Sequence, residues 1–180
     1  MNIQHVNVKI FVDGELSISI EDLVKVFHKW VSEQSMPEMM IDVADYMHVP
    51  NGPGIVLVGH EADYSLDYTG GKIGLRYNYK AAREGSNQEQ LQHAFDNATS
   101  CCNRLEAELP GLKFDRSQVE ITINDRAIAP NTPDTKSALS GDIEAFAKSI
   151  GSGDASIEYE SDSRRLFGAL IKLANAFAVA

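Results

Sequence analysis

Residues 39–61 read MMIDVADYMHVPNGPGIVLVGHE, and in this stretch two strand-like segments flank a turn rich in proline and glycine. The first segment spans residues 39–47 and the second spans residues 55–61. Apolar runs on either side of such a turn are typical of neighbouring antiparallel strands. A third segment, residues 73–80, alternates apolar with polar side chains, which indicates a half-buried strand. The three segments predict an antiparallel meander at the centre of the fold.

Outward from this meander, the chain alternates strand and helix signals. A two-residue period predicts a strand near residues 4–12 and another around residues 119–123. Helical spacing of apolar residues predicts three helices, and each begins at a capping residue. The three capping residues are Ser19, Ser86 and Thr132. This order predicts an α+β fold: a two-layer sandwich with a mixed, mainly antiparallel sheet and three helices largely on one face.

The length of the chain predicts a single domain, residues 1–180. Its last part, residues 155–180, has two interpretations. Ile157 and Tyr159 alternate as in a short strand, which could turn back on the following segment as a hairpin. Alternatively, Asp162 caps a final helix. Because a short lone strand needs a partner, the hairpin is favoured.

The chain carries 16 basic and 26 acidic side chains, which give a formal net charge of −10. Nucleic acids and anionic membrane surfaces attract proteins through lysine and arginine, so this charge argues against both as partners. No apolar window reaches the length of a membrane span, and the first residues lack the pattern of a signal peptide. Cys101 and Cys102 are adjacent within a helical pattern, which disfavours a disulfide between them. We therefore expect a cytoplasmic protein with reduced cysteines.

The stretch between Trp30 and Gly71 has seven acidic residues and two histidines but no lysine or arginine. Carboxylates and imidazoles near a rigid turn are suited to binding a metal ion or to moving a proton. The candidate ligand-binding residues are Asp42, Asp45, His48, His60, Glu61, Arg76 and Arg126. The candidate metal ligands among them are Asp42, His48 and His60. A divalent metal is the cofactor that these three residues would hold.

Several of these assignments have a structural alternative. Asp45 could orient His48 as a general base, or it could cap the turn by accepting hydrogen bonds from backbone amides. Arg76 and Arg126 are the best candidates for binding a phosphate or carboxylate group, although Arg126 could instead pair with Asp125. The chain contains neither a phosphate-binding loop nor a nucleophile elbow, so the sequence identifies no reaction.

These patterns favour a protein that binds a small polar ligand near residues 42–61. The first alternative is a metal-dependent or general-base hydrolase that uses His48 and His60 with Asp42 or Asp45. The second alternative is a structural or accessory subunit of a larger assembly. Self-association through a sheet edge, which would give a homo-oligomer, is also compatible with the sequence.

Five segments of the chain are similar to a family of small, uncharacterised bacterial proteins. They are residues 41–46, 49–54, 59–61, 124–126 and 129–131. The resemblance covers most of the chain. It implies no activity, and no functional residue is carried over from it.

Overall fold

The computed structural model describes residues 1–177, and each element begins where the sequence changes its period or offers a cap. The strands are β1 (Val6–Val12), β2 (Met40–Tyr46), β3 (Gly54–Gly59), β4 (Ala62–Asp67), β5 (Gly74–Tyr79), β6 (Phe114–Ile123), β7 (Ala155–Tyr159) and β8 (Gly168–Leu173). The helices are α1 (Ile20–Glu33), α2 (Asn87–Glu108) and α3 (Pro133–Ile150). Their N-caps are Ser19, Ser86 and Thr132, as the sequence predicts.

All eight strands belong to one antiparallel sheet with the order β2-β3-β4-β5-β1-β6-β8-β7. The first strand of the chain therefore lies in the middle of the sheet, between β5 and β6. The edges are β2 and β7. This arrangement confirms the predicted α+β sandwich, although the sheet is wholly antiparallel rather than mixed.

The three helices cover one face of this sheet. Helix α1 packs on β2 and β3, α2 on β1 and β5, and α3 on β7. Alternating side chains of the strands point at the helices, and on the inner strands they are buried, as are Val8 and Ile10 of β1. The helices contribute large apolar groups to this core, among them Leu23, Phe27, Trp30, Leu91, Phe95, Leu139 and Phe146. We call the opposite side of the sheet the open face.

The predicted three-stranded meander has a fourth strand, β4, which the sequence analysis missed. Ala62, Tyr64 and Leu66 alternate with polar residues and are fully buried. A tight turn at His60 and Glu61 connects β3 to β4. The alternation with Asp63, Ser65 and Asp67 is present in the sequence, but it is short and runs directly into the turn signal at residues 67–71.

The C-terminal part forms the hairpin rather than a final helix. Strands β7 and β8 pair in antiparallel register, with Ile157 opposite Ile171. Residues 178–180 of the predicted domain lie outside the described part of the chain. Cys101 and Cys102 are both buried in α2 as free thiols, and burial raises the pKa of each. Within residues 1–177, no helix is both long enough and apolar enough to cross a membrane.

Candidate functional site

The predicted acidic and histidine residues are exposed and lie on β2 or in the turns at the two ends of β3. Asp42 and Asp45 project from edge strand β2, and His48 lies in the turn that follows. Asp45 Oδ1 accepts a hydrogen bond of 2.8 Å from the amide of Met47, so the turn-capping interpretation of this residue is confirmed. Residues 42 and 45 are an odd number of positions apart, and their β3 partners, Val58 and Ile55, confirm that they lie on different faces.

His60 and Glu61 lie in the turn between β3 and β4, at the opposite end of β3 from His48. Six residues of extended chain separate the two turns, a span of roughly 17–20 Å for a typical strand. Within residues 1–177, no three His, Cys, Asp or Glu side chains form a group that could hold a metal ion. The structure therefore does not bring Asp42, His48 and His60 together.

Unlike the acids and histidines, the two predicted arginines are brought together. Both Arg76 and Arg126 line one cavity on the open face. This open-face cavity has a volume of about 510 Å³ and lies over β6, β8 and the end of β7. Its charged lining residues are Arg76, Arg126, Arg164, Arg165, Glu120, Glu158 and Glu160. Arg76 is on β5, and Arg126 follows β6 in the chain. Four of the seven arginines in the sequence thus meet at one place.

Strand register brings Arg76 to this cavity. Across the open face, Arg76 lies opposite Lys9 of β1, and Lys9 lies opposite Glu120 of β6. Lys9 is covered by the turn at Thr69, whose carbonyl oxygen accepts a hydrogen bond of 2.9 Å from Lys9 Nζ. Asp67 accepts a second bond from the same ammonium group. Burial lowers the pKa of Lys9, and the neighbouring Asp67 opposes this shift.

Arg76 is held between two carboxylates and still has donor capacity. Its Nη2 atom lies 3.4 Å from Asp67 Oδ2 and 3.2 Å from Glu120 Oε1. Its Nε atom is buried and has no hydrogen-bond partner within the described residues. An arginine has five N–H donors, so two contacts through one nitrogen leave most of them available. The guanidinium group is therefore positioned by the sheet without being fully satisfied by it.

Arg126 differs from the other three arginines of the cavity, because no acidic group of residues 1–177 forms an ion pair with it. Its Nη2 atom donates to the carbonyl oxygen of Arg164 at 2.6 Å. The predicted pairing with Asp125 is absent, since Asp125 Oδ1 instead accepts bonds from two backbone amides. Arg126 thus brings a positive charge to the cavity that the described protein does not neutralise.

The loop between β7 and β8 forms the far wall of the cavity and is held in a defined shape. Asn131 Nδ2 donates to the carbonyl oxygens of Glu160 and Asp162. Asp162 accepts two bonds from the Arg164 side chain, at 3.0 and 2.8 Å, which lowers the pKa of this carboxyl group. Arg165 pairs with Glu160 at 3.2 Å. These contacts place two more guanidinium groups at the rim.

The sequence analysis did not identify Arg164 and Arg165. Adjacent arginines after a Ser-Asp-Ser segment were a visible signal, but the segment was ambiguous between a turn and a helix cap. Only a turn places these side chains above the sheet. With this geometry, the arginines of the cavity can bind an anionic group. Its glutamates can accept hydrogen bonds from hydroxyl groups of the same ligand.

Comparison with protein-family models and with curated proteins finds no match for this chain. The resemblance to a family of small bacterial proteins therefore stays a prediction.

Proposed function

We propose that this protein binds a small anionic ligand, carrying a phosphate or carboxylate group, in the open-face cavity. The observation that carries the proposal is the convergence of four arginines, from three separate parts of the chain, on one concave surface. Guanidinium groups match the planar geometry of carboxylate and phosphate oxygens and retain their charge at any physiological pH. Arg126 would be the principal contact, since it has no carboxylate partner among the described residues.

The cavity differs in charge from the chain as a whole. A protein with a net charge of −10 repels anions over most of its surface. A local group of arginines is therefore not explained by composition. A volume of about 510 Å³ also falls within the range of about 300–1,000 Å³ that is usual for small-molecule sites. Glu120 and Glu158, which line the same cavity, would select ligands that also present hydroxyl groups.

Calorimetric titration of the full chain with inorganic phosphate, citrate and a set of sugar phosphates tests the proposal. Arg126→Gln removes the unpaired charge but keeps a polar, though shorter, side chain. We expect at least tenfold weaker binding, because a hydrogen bond to a charged group contributes about 1.5–3 kcal/mol. Lys113→Gln is the matched control, since it removes one exposed positive charge outside the cavity.

Two results would contradict the proposal. One is that none of these anions binds to the unmodified protein. The other is that Lys113→Gln weakens binding as much as Arg126→Gln, which would indicate a general charge effect rather than a site.

Other parts of the functional assignment are also proposals. The net charge argues against nucleic acid as a partner. The two free, buried cysteines are compatible with a cytoplasmic protein. No observation favours the metal-dependent hydrolase, because the candidate ligands do not meet in the described part of the chain. The alternative of an accessory subunit depends on whether a partner binds at edge strand β2.

A further inference from the structure

Exposed apolar side chains are concentrated on edge strand β2 and the turn after it. Six large hydrophobic residues of the described chain are exposed, and five of them lie between positions 39 and 49. The five are Met39, Ile41, Tyr46, Met47 and Val49, which are between 40% and 59% exposed. The other sheet edge differs, since the exposed side chains of β7 are Ser156 and Glu158. An apolar cluster confined to one edge marks an interaction surface.

The outer side of β2 is available for strand pairing. β2 is at the end of the strand order and, within residues 1–177, pairs only with β3. Gln34 Nε2 donates a hydrogen bond of 2.7 Å to the carbonyl oxygen of Met40, and the Met40 amide donates one of 3.1 Å to Gln34 Oε1. The first residue of β2 is therefore not available to pair with another strand. Beyond it, Met40–Tyr46 contains neither lysine nor proline, two residues that commonly block an exposed edge. A β-bulge lies between Met40 and Asp42, and the Val43 amide donates to Asp42 Oδ1, so the backbone groups open to a partner are those of the remaining residues up to Tyr46.

The charge on this edge is of one sign. Asp42 and Asp45 are exposed, and each accepts a hydrogen bond from a backbone amide of the same strand or the turn after it. They lie on different faces of the sheet, so both faces of the edge carry an acid. Lys80, which follows β5, is bound to Asp63 at 2.7 Å and to the carbonyl oxygen of Gly59. Within residues 1–177, neither Asp42 nor Asp45 forms an ion pair, so both acids give the edge negative charge.

We infer that the free edge of β2 binds an extended, basic segment of a partner protein as an additional strand. Backbone hydrogen bonds would supply affinity, and side chains alternating along the segment would supply specificity. Lysine or arginine on each face would lie beside Asp42 and Asp45, while apolar residues would cover Ile41 and Tyr46. A second copy of this chain fits less well, because it would bring the same acids and a further charge of −10 to the interface.

Selection from a random library of ten-residue peptides, at physiological salt, tests the occupant without assuming its sequence. We expect enrichment of peptides that combine lysine or arginine with β-branched residues. The strongest peptide is then titrated into the isotope-labelled full chain. Amide resonances of residues 41–46 should shift, while those of β7 at the other edge should not. A version of the peptide with proline at its centre should not bind, because proline interrupts strand pairing.

Paired variants separate the edge from general electrostatics. Asp42→Asn combined with Asp45→Asn should weaken the peptide at least tenfold. Asp13→Asn combined with Glu15→Gln is the matched control, since it removes two exposed acids in the loop after β1. The control should bind the peptide within twofold of the unmodified protein. Ile41→Lys should abolish binding without unfolding the protein, because the side chain is exposed.

Three results would overturn the inference. The library could return no peptide, or peptides without basic residues. The shifted amides could lie away from β2, or the control pair could weaken binding as much as the β2 pair. Finally, sedimentation could show a dimer of the unmodified protein that Ile41→Lys converts to a monomer, which would assign the edge to a second copy. The cavity is formed by other strands, so failure here would leave the proposed anion site untouched.

Discussion

Lys9 and Asp67 form an ion pair in which Nζ lies 2.6 Å from Oδ2, and each side chain is only 1% exposed. The pair lies on the open face, the side of the sheet opposite α1, α2 and α3. The turn at Thr69 buries it, and Arg76 extends it toward the cavity. Removing two charges from water is costly, so the pair depends on each partner remaining in place.

Asp67→Leu should destabilise the protein by about 3–5 kcal/mol, the usual cost of removing one partner of a buried ion pair. The ammonium of Lys9 would then keep only the carbonyl oxygen of Thr69 as an acceptor. Urea denaturation measures the change. The double variant Asp67→Leu with Lys9→Met should lose less stability than Asp67→Leu alone. A double variant that is less stable than Asp67→Leu would contradict this explanation.

The stability of the protein should fall on acidification through His93. Burial, reinforced by Arg83, lowers the pKa of this imidazole below its usual 6.5. Below pH 6.5 the unfolded chain therefore binds a proton that the folded chain does not, until the lowered pKa is reached. We expect a loss of at most about 1.4 kcal/mol per pH unit from this residue in that window, and none above it.

Urea midpoints at pH 7.5 and pH 5.5 measure this effect. His93→Gln should reduce the difference between the two midpoints, since glutamine does not titrate and can still donate to Tyr77. His28→Gln, an exposed position on α1, is the control and should leave the difference unchanged. Equal effects of the two substitutions would assign the acid sensitivity to other groups.

Glu108 should stabilise the core through the only tryptophan. Trp30 is fully buried, and its indole Nε1 donates to Glu108 Oε1 at 2.9 Å. Glu108→Leu would leave this donor unpaired and should cost about 1–3 kcal/mol. Glu108→Gln keeps an acceptor oxygen and should cost less. Because the sequence has 1 tryptophan, its fluorescence reports unfolding directly, and similar losses for both variants would exclude the hydrogen bond as the cause.

Gly54 should not tolerate a side chain. Its φ is +65°, and a Cβ atom there would lie 2.1 Å from the carbonyl oxygen of Leu66. Gly14, with a φ of +74° and no atom within 4 Å of such a Cβ, is the matched control. Gly14→Ala should cost about 1–2 kcal/mol from backbone strain alone. Gly54→Ala should cost clearly more in urea denaturation, because β4 must also move; equal costs would contradict the close approach.

The sequence predicts two residues of the candidate site but not that they lie together. Arg76 and Arg126 were identified individually as anion-binding candidates, because each stands beside short polar residues. That they share a cavity follows from β1 lying between β5 and β6, a long-range pairing that no local pattern encodes. The acids and histidines were predicted to converge because they are close in the chain, but strand alternation and the length of β3 keep them apart.

The sequence by itself determined the fold class, the capped starts of the helices and most of the strands. These features depend on local rules, namely the two-residue and 3.6-residue periods and the bonds that Ser19, Ser86 and Thr132 make to nearby amides. Tertiary structure alone decided the order of the strands, and with it which polar side chains meet. The physical reason is that strand order depends on burying one shared apolar face, a property of the whole chain rather than of any one segment.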